Sequence, residues 1–174
     1  MSDKNPIEAK SIATNGESAL TSWEKAVERL SESEKFWLAT VDPDGHPHVV
    51  PLFSVWFEGC LYFTSNPNVR KSRDLAQNPH CVMTTAGKTL DLVIEGEAVK
   101  ITDDELLKRV AEVYKAKYGW PLTVENHAYT APYAAPAAGK SPYELYQVRP
   151  TKAFAMGSNE PPYGATRWRF SDDQ

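Results

Sequence analysis

Cysteine is scarce: Cys60 and Cys81 are the only two in 174 residues, and neither stands at a zinc or redox-motif spacing. Both lie in apolar, strand-like runs, which predicts buried free thiols and fits a reducing compartment. A cationic surplus is missing as well. The 19 Lys and Arg against 23 Asp and Glu give a net charge of -4, which excludes a general nucleic-acid binder with its basic face. No apolar run is long enough to span a bilayer, and no basic-then-apolar leader opens the chain, so the expected location is the cytoplasm, with no membrane partner. Metal ligands are poorly supplied. His46 and His48 share a strand face at i, i+2, but no third ligand joins them at metal spacing, so no metal is expected. Serines lack an elbow motif, which removes a Ser-His-Asp nucleophile, and Glu95 and Glu97 read as the solvated side of a strand.

What remains is an ordinary soluble composition, 41% apolar and 11% aromatic, on a chain of one-domain length. Residues 1–17 are polar and aperiodic and read as a flexible arm, leaving 18–174 as a single domain. Trp23, Ala26, Val27 and Leu30 form one helical stripe. Strand-like runs follow at 36–41, 46–57 and 60–65, joined by turns at 42–45 and 58–59, which predicts an antiparallel meander. Further strands are expected at 80–85, 89–101, 143–148, 151–156 and 165–170, with Gly96 as a bend. A capping box at Thr102 to Glu105 and Gly119 bound a second amphipathic helix. Residues 121–142 read as an ordered, irregular excursion bordering a substrate cleft, with Tyr129 and Tyr133 as its amphipathic contacts. The expected architecture is a six- to eight-stranded antiparallel β-barrel with peripheral helices.

One stretch organises the rest. Residues 61–72 run from a strand through a hydroxyl- and Asn-rich turn into a helix between Pro67 and Asn78-Pro79, opening on Arg70 and Lys71. A helix N-terminus offers unpaired N–H groups and partial positive charge to an anion. Thr64, Ser65 and Ser72 can add hydroxyls, Arg70 a two-pronged grip and Lys71 a point charge. The same residues also fit a strand, a turn and a solvated basic helix.

Taken in order, 44–51 (Asp-Gly-His-Pro-His-Val-Val-Pro), 61–65 (Leu-Tyr-Phe-Thr-Ser), Arg70-Lys71 with Asn78-Pro79, 91–96 (Asp-Leu-Val-Ile-Glu-Gly), 117–120 (Lys-Tyr-Gly-Trp) and 166–170 (Thr-Arg-Trp-Arg-Phe) resemble the pyridoxamine 5′-phosphate oxidase-like, FMN-binding split-barrel superfamily. The likeness, over about 36–170, is to its flavin- or deazaflavin-dependent oxidoreductases. It implies a homodimer with the cofactor, FMN or coenzyme F420, between subunits. Arg70 and Lys71 would hold the cofactor phosphate beside Thr64 and Ser65, and the strand edge at Val50, Pro51 and Leu52 would face the ring. Asp91 falls where the oxidase has a ring-contacting Gln, although it also reads as a strand-start turn residue. The closing strand would come near the partner's site, with Trp168 at the cofactor and Arg167 and Arg169 towards a small-molecule substrate. Residues 49–55 lack the oxidase's Arg and Lys, and its C-terminal Arg and His motif is absent, which points away from pyridoxamine phosphate as substrate. Two other readings use the same residues: a non-catalytic flavin-binding or flavin-sensing protein, and a haem-binding split barrel, for which no axial histidine stands out. Trp37, Trp56 and Phe57 exceed what one small barrel needs inside and are expected at the dimer face.

Overall fold

Ser22 caps the first helix by accepting a bond from the Lys25 N–H at 3.3 Å, and the stripe behind it buries Trp23, Ala26 and Leu30. The computed structural model describes residues 5–13, 19–134, 138–157 and 164–171. In chain order the elements are β1 (Glu8–Ser11), α1 (Trp23–Glu32), β2 (Phe36–Val41), β3 (Pro47–Leu52), β4 (Ser54–Phe57), β5 (Cys60–Ser65), α2 (Arg70–Gln77), β6 (His80–Thr85), β7 (Leu90–Ile101), α3 (Asp104–Tyr118), β8 (Thr123–Glu125), β9 (Ala128–Thr130), β10 (Glu144–Gly157) and β11 (Ala165–Arg169). Nine strands form one antiparallel sheet in the order β1-β11-β10-β7-β6-β2-β3, with β5 joined to β10 and β4 to β5. Among the described residues β3 pairs only with β2, so the barrel is not closed.

Strand β10 makes the split. One of its edges pairs with β7 along its whole length, from Leu145↔Ile101 to Gly157↔Leu90. The other edge is shared, with residues 144–148 on β5 and residues 152–156 on β11. A register shift falls between Pro150 and Lys152. There Gly96 packs so tightly that a Cβ on it would stand 2.2 Å from the Arg149 carbonyl oxygen. The larger core fills the barrel with Phe36, Leu38, Phe63, Met83, Ile94, Val148 and Trp168, covered by Trp23 and Leu30 of α1. A second core lies under α3 and holds Tyr62, Leu107, Val110, Tyr114, Tyr129 and Tyr143.

Five expectations need correction. The single strand expected at 46–57 is two, because the chain changes partner at Phe53: Leu52 pairs with Phe36, and Ser54 with Phe63. The pair expected at 143–148 and 151–156 is one bulged strand, β10. The arm expected to be loose contributes β1, paired with β11 from Glu8↔Arg169 to Ser11↔Thr166; residues 1–4 and 14–17 of it lie outside the described residues. The excursion at 121–142 holds a β8–β9 hairpin, turned by Asn126 and His127 at φ 50 and 60. Trp56 is buried and Phe57 is half-buried beneath Arg109, so of the three expected face aromatics only Trp37 is exposed, at 37%.

Candidate functional site

Strand β5 delivers Ser65 to the turn that starts α2. Ser65 and Ser72 are buried, their hydroxyls 2.6 Å apart, and the Ser72 hydroxyl donates to the Asn66 carbonyl at 2.8 Å. Both protons are thereby spent inside the turn, so these serines brace the site and are not the free donors expected of them. Asn66 completes the brace: its side-chain oxygen accepts from the Asn68 N–H, and its Nδ2 donates to the Lys140 carbonyl, both at 2.8 Å. Thr64 is half-buried on β5 opposite Leu145.

Among the helices of the described residues, α2 is the one whose N-terminus lacks a side-chain cap and an acidic residue in the first turn. Helices α1 and α3 have both, α3 through Asp103, which accepts from the Leu106 N–H at 2.7 Å. The first two residues of α2 are Arg70 and Lys71. Lys71 is half-buried, and burial pushes its ammonium pKa down. It has no ion pair among the described residues. Arg70 is already oriented: its Nη2 lies 3.1 Å from Asp42 Oδ2, and its Nε 3.8 Å from the buried carboxylate of Asp74. Asp74 is itself fixed by the Thr40 hydroxyl at 2.8 Å. The His46 backbone N–H, helped by Asp44 N–H and Arg70, holds the Asp42 carboxyl below its usual pKa against the cost of desolvation. Asp42, Asp74 and Thr40 were not singled out from sequence, although the i, i+4 spacing of Arg70 and Asp74 was a usable signal. An uncapped N-terminus, a half-buried lysine without a counter-ion and an arginine with further N–H groups to offer together fit a dianionic phosphate.

Next to this turn, Tyr146 donates to Glu144 at 3.0 Å, and Lys100 pairs with the other Glu144 oxygen. Burial, then Glu144, pushes the Tyr146 hydroxyl up to about 12. Lys100 and Glu144 line a cleft of about 590 Å³ together with Glu125, Asn126, His127 and Ser141. The excursion therefore borders a cleft, but not through the tyrosines expected. Tyr129 is fully buried and donates to the Leu107 carbonyl at 2.7 Å, while Tyr133 is exposed and donates to the Gly119 carbonyl.

The remaining expected residues scatter. Val50, Pro51 and Leu52 lie on β3, at the unpaired margin of the sheet. Asp91 accepts from the Gly87 N–H at 2.9 Å, the turn role that was the alternative for it. Trp168 is 1% exposed and packs edge-on against Trp23 at 5.2 Å, so it is a core residue and not a cofactor contact within its own chain. Arg167 and Arg169 point to the opposite face and share Glu8 at 3.6 and 3.4 Å. Both cysteines are buried and outside any disulfide, and burial pushes the Cys81 thiol up to about 12. Among the described residues no His, Cys, Asp and Glu cluster suits a metal, and no helix is long and apolar enough to cross a membrane.

A family model described as pyridoxamine 5'-phosphate oxidase matches residues 22–157, from the cap of α1 to the end of β10. A pyridoxine/pyridoxamine 5'-phosphate oxidase of Pseudomonas paraeruginosa is 42% identical over 83 residues, which is 45% of this chain, and the chain spans 38% of that curated relative's length. Among solved structures, a pyridoxamine 5'-phosphate oxidase-related, FMN binding protein of Nostoc punctiforme is similar with a TM-score of 0.58 at 18% identity, over 88% of this chain and 94% of its own. An F420 reductase is similar with a TM-score of 0.53 at 26% identity, over 72% and 94%. The matched span contains the barrel strands from β2 to β10 and the whole Arg70 and Lys71 turn, and by it the chain belongs to the pyridoxamine 5'-phosphate oxidase family.

Proposed function

We propose that this protein is an oxidoreductase that binds FMN, with coenzyme F420 as the alternative, and transfers hydride between that ring and a small organic substrate. The observation that carries the reading is the start of α2, uncapped and headed by Arg70 and by a half-buried Lys71 that has no counter-ion among the described residues. Names among the similar proteins support both cofactors, one being an FMN binding protein and one an F420 reductase. When bound, the ring supplies the hydride chemistry. The chain supplies position. Asp74 and Thr40 aim Arg70, the buried Ser65 and Ser72 pair fixes the turn, and the β3 margin is the backbone offered to the ring.

The working unit in this proposal is a homodimer. The outer face of β3, β2 and β6 sets Val49 against Ala39 and Trp37 against Pro51 and Thr84, with Val82 beside Ala39. Val49 is 57% exposed, and such an apolar patch suits a second copy that completes a cofactor cleft. Buried free thiols fit a cytoplasmic setting.

The experiment is the absorbance spectrum and mass of whatever copurifies with the protein, followed by reduction of the cofactor and assay of electron acceptors. A bound FMN or F420 that turns over is the expected result. A bound flavin that reduces no acceptor would favour the sensing alternative, and a haem spectrum would overturn the reading.

A further inference from the structure

The change of pairing partner at Phe53 leaves backbone groups outside the sheet's ladder, and the C-terminal part of α3 takes them up. The Tyr114 hydroxyl lies between the Tyr62 and Phe53 carbonyls, at 3.1 and 3.2 Å, and the Tyr118 hydroxyl lies 2.8 Å from the Ser54 carbonyl and accepts from the Ser54 N–H at 3.2 Å. The Phe53 and Tyr118 rings stack at 4.5 Å. Lys117 adds a second donor to the Ser54 carbonyl at 3.1 Å, with its ammonium 5.3 Å from the centroids of both Phe36 and Tyr118.

A cation is an expensive choice there. Lys117 has no ion pair among the described residues, and burial, opposed by Glu34 and reinforced by Arg29, pushes its pKa down to about 8. The charged and titratable groups around it are Glu34 ahead of β2, Arg29 of α1, and Tyr114 and Tyr118 of α3. The C-terminal end of α3 offsets only part of the desolvation cost. The Tyr118 hydroxyl divides its one proton between the Ser54 carbonyl and the Glu34 carbonyl, 3.0 Å away, so Lys117 is the donor given to Ser54 alone, a task that an uncharged donor would also meet. A charged donor where a neutral one would be less costly to bury points to a role in function.

We infer that Lys117 is a positioning residue which, with Tyr118, clamps the chain at Ser54 and so fixes the Val50, Pro51 and Leu52 margin against the cofactor ring. Register supports the link: Leu52 is paired with Phe36, the residue whose ring carries the Lys117 ammonium. The inference rests on the proposed function, to which it adds a second anchor. Arg70 and Lys71 hold the phosphate end, and Lys117 sets the ring end through β3.

Three measurements test it on the full chain with Lys117→Met and Lys117→Arg. Amide hydrogen exchange without cofactor is expected to quicken at Val50 and Leu52 in Lys117→Met. Fluorescence titration is expected to show FMN and riboflavin binding weakened about tenfold in Lys117→Met, the loss of one bond to a charged group, and restored in Lys117→Arg. Native ring affinity should fall as pH rises through about 8, and the Met variant should show no such inflection. A merely structural lysine would lower stability and leave ring affinity and its pH profile unmoved. Unchanged exchange overturns the clamp, and faster exchange with unchanged flavin affinity overturns its role at the ring. If the native protein binds neither FMN nor F420, it is the proposed function that falls, and exchange still decides the clamp.

Discussion

Arg70 is held by two carboxylates, at 3.1 and 3.8 Å, so a phosphate must compete with Asp42 for it while Asp74 continues to aim it. Replacing Arg70 by Ala should weaken FMN by about 1.5–3 kcal/mol for each phosphate bond lost, roughly ten- to hundredfold in Kd. Arg70→Lys should lose less, because the charge survives and the paired geometry does not. Riboflavin, which has the ring and no phosphate, should be indifferent to Arg70→Ala and Lys71→Ala; isothermal calorimetry checks both ligands. Lys117 gives a prediction of the opposite kind. Its pKa in the folded chain is about 8 against an ordinary 10.5, so between those values the unfolded chain binds more protons than the folded one, and stability rises with pH through that window. Lys117→Met should remove the rise and be more stable than the native chain at neutral pH. Urea midpoints measured across the window test this.

At the scale of elements, Gly96 is the tightest joint. Gly96→Ala would press a methyl into the Arg149 carbonyl, which should cost about 1–3 kcal/mol and lower the urea midpoint without touching the phosphate turn. The elements that sequence made legible are those whose signals are local. Helix α3 announces itself by Asp103 before it and Gly119 after it, at φ 64, and α1 by its stripe. The break at Phe53 was illegible because the groups that stabilise it, Tyr114, Lys117 and Tyr118, stand some sixty residues downstream. Helix α2 begins at Arg70, beyond the turn that Asn66 folds onto itself. Within the candidate site Arg70 and Lys71 were legible by their charge at a helix start, but the serines' protons were not, since a hydroxyl's partner is set by tertiary contact. Trp168 was misplaced for a reason that strand geometry does supply. Side chains alternate between faces, so a tryptophan between Arg167 and Arg169 cannot share their surroundings. Tyr129 went astray because its partner Tyr143 arrives from across the excursion.

For the whole molecule, the exposed face around Val49 and Trp37 decides assembly. Val49→Glu should shift a dimer to monomer in light scattering and, if the cofactor lies between copies, abolish FMN binding while leaving the fold's circular dichroism unchanged. Strand β10 carries a different consequence. It completes the pairing of β5, β7 and β11, and it puts Tyr146 and Val148 into the barrel core and Leu145 into the core under α3. A nascent polypeptide ending short of Glu144 must carry two unfinished cores and the bare edges of β5 and β7. Neither core can close before β10 is present, because Tyr146 and Val148 belong to one and Leu145 to the other. Chains truncated before β10 should be cut rapidly by protease and captured by chaperones, and protection should arrive in a single step in chains that include β10.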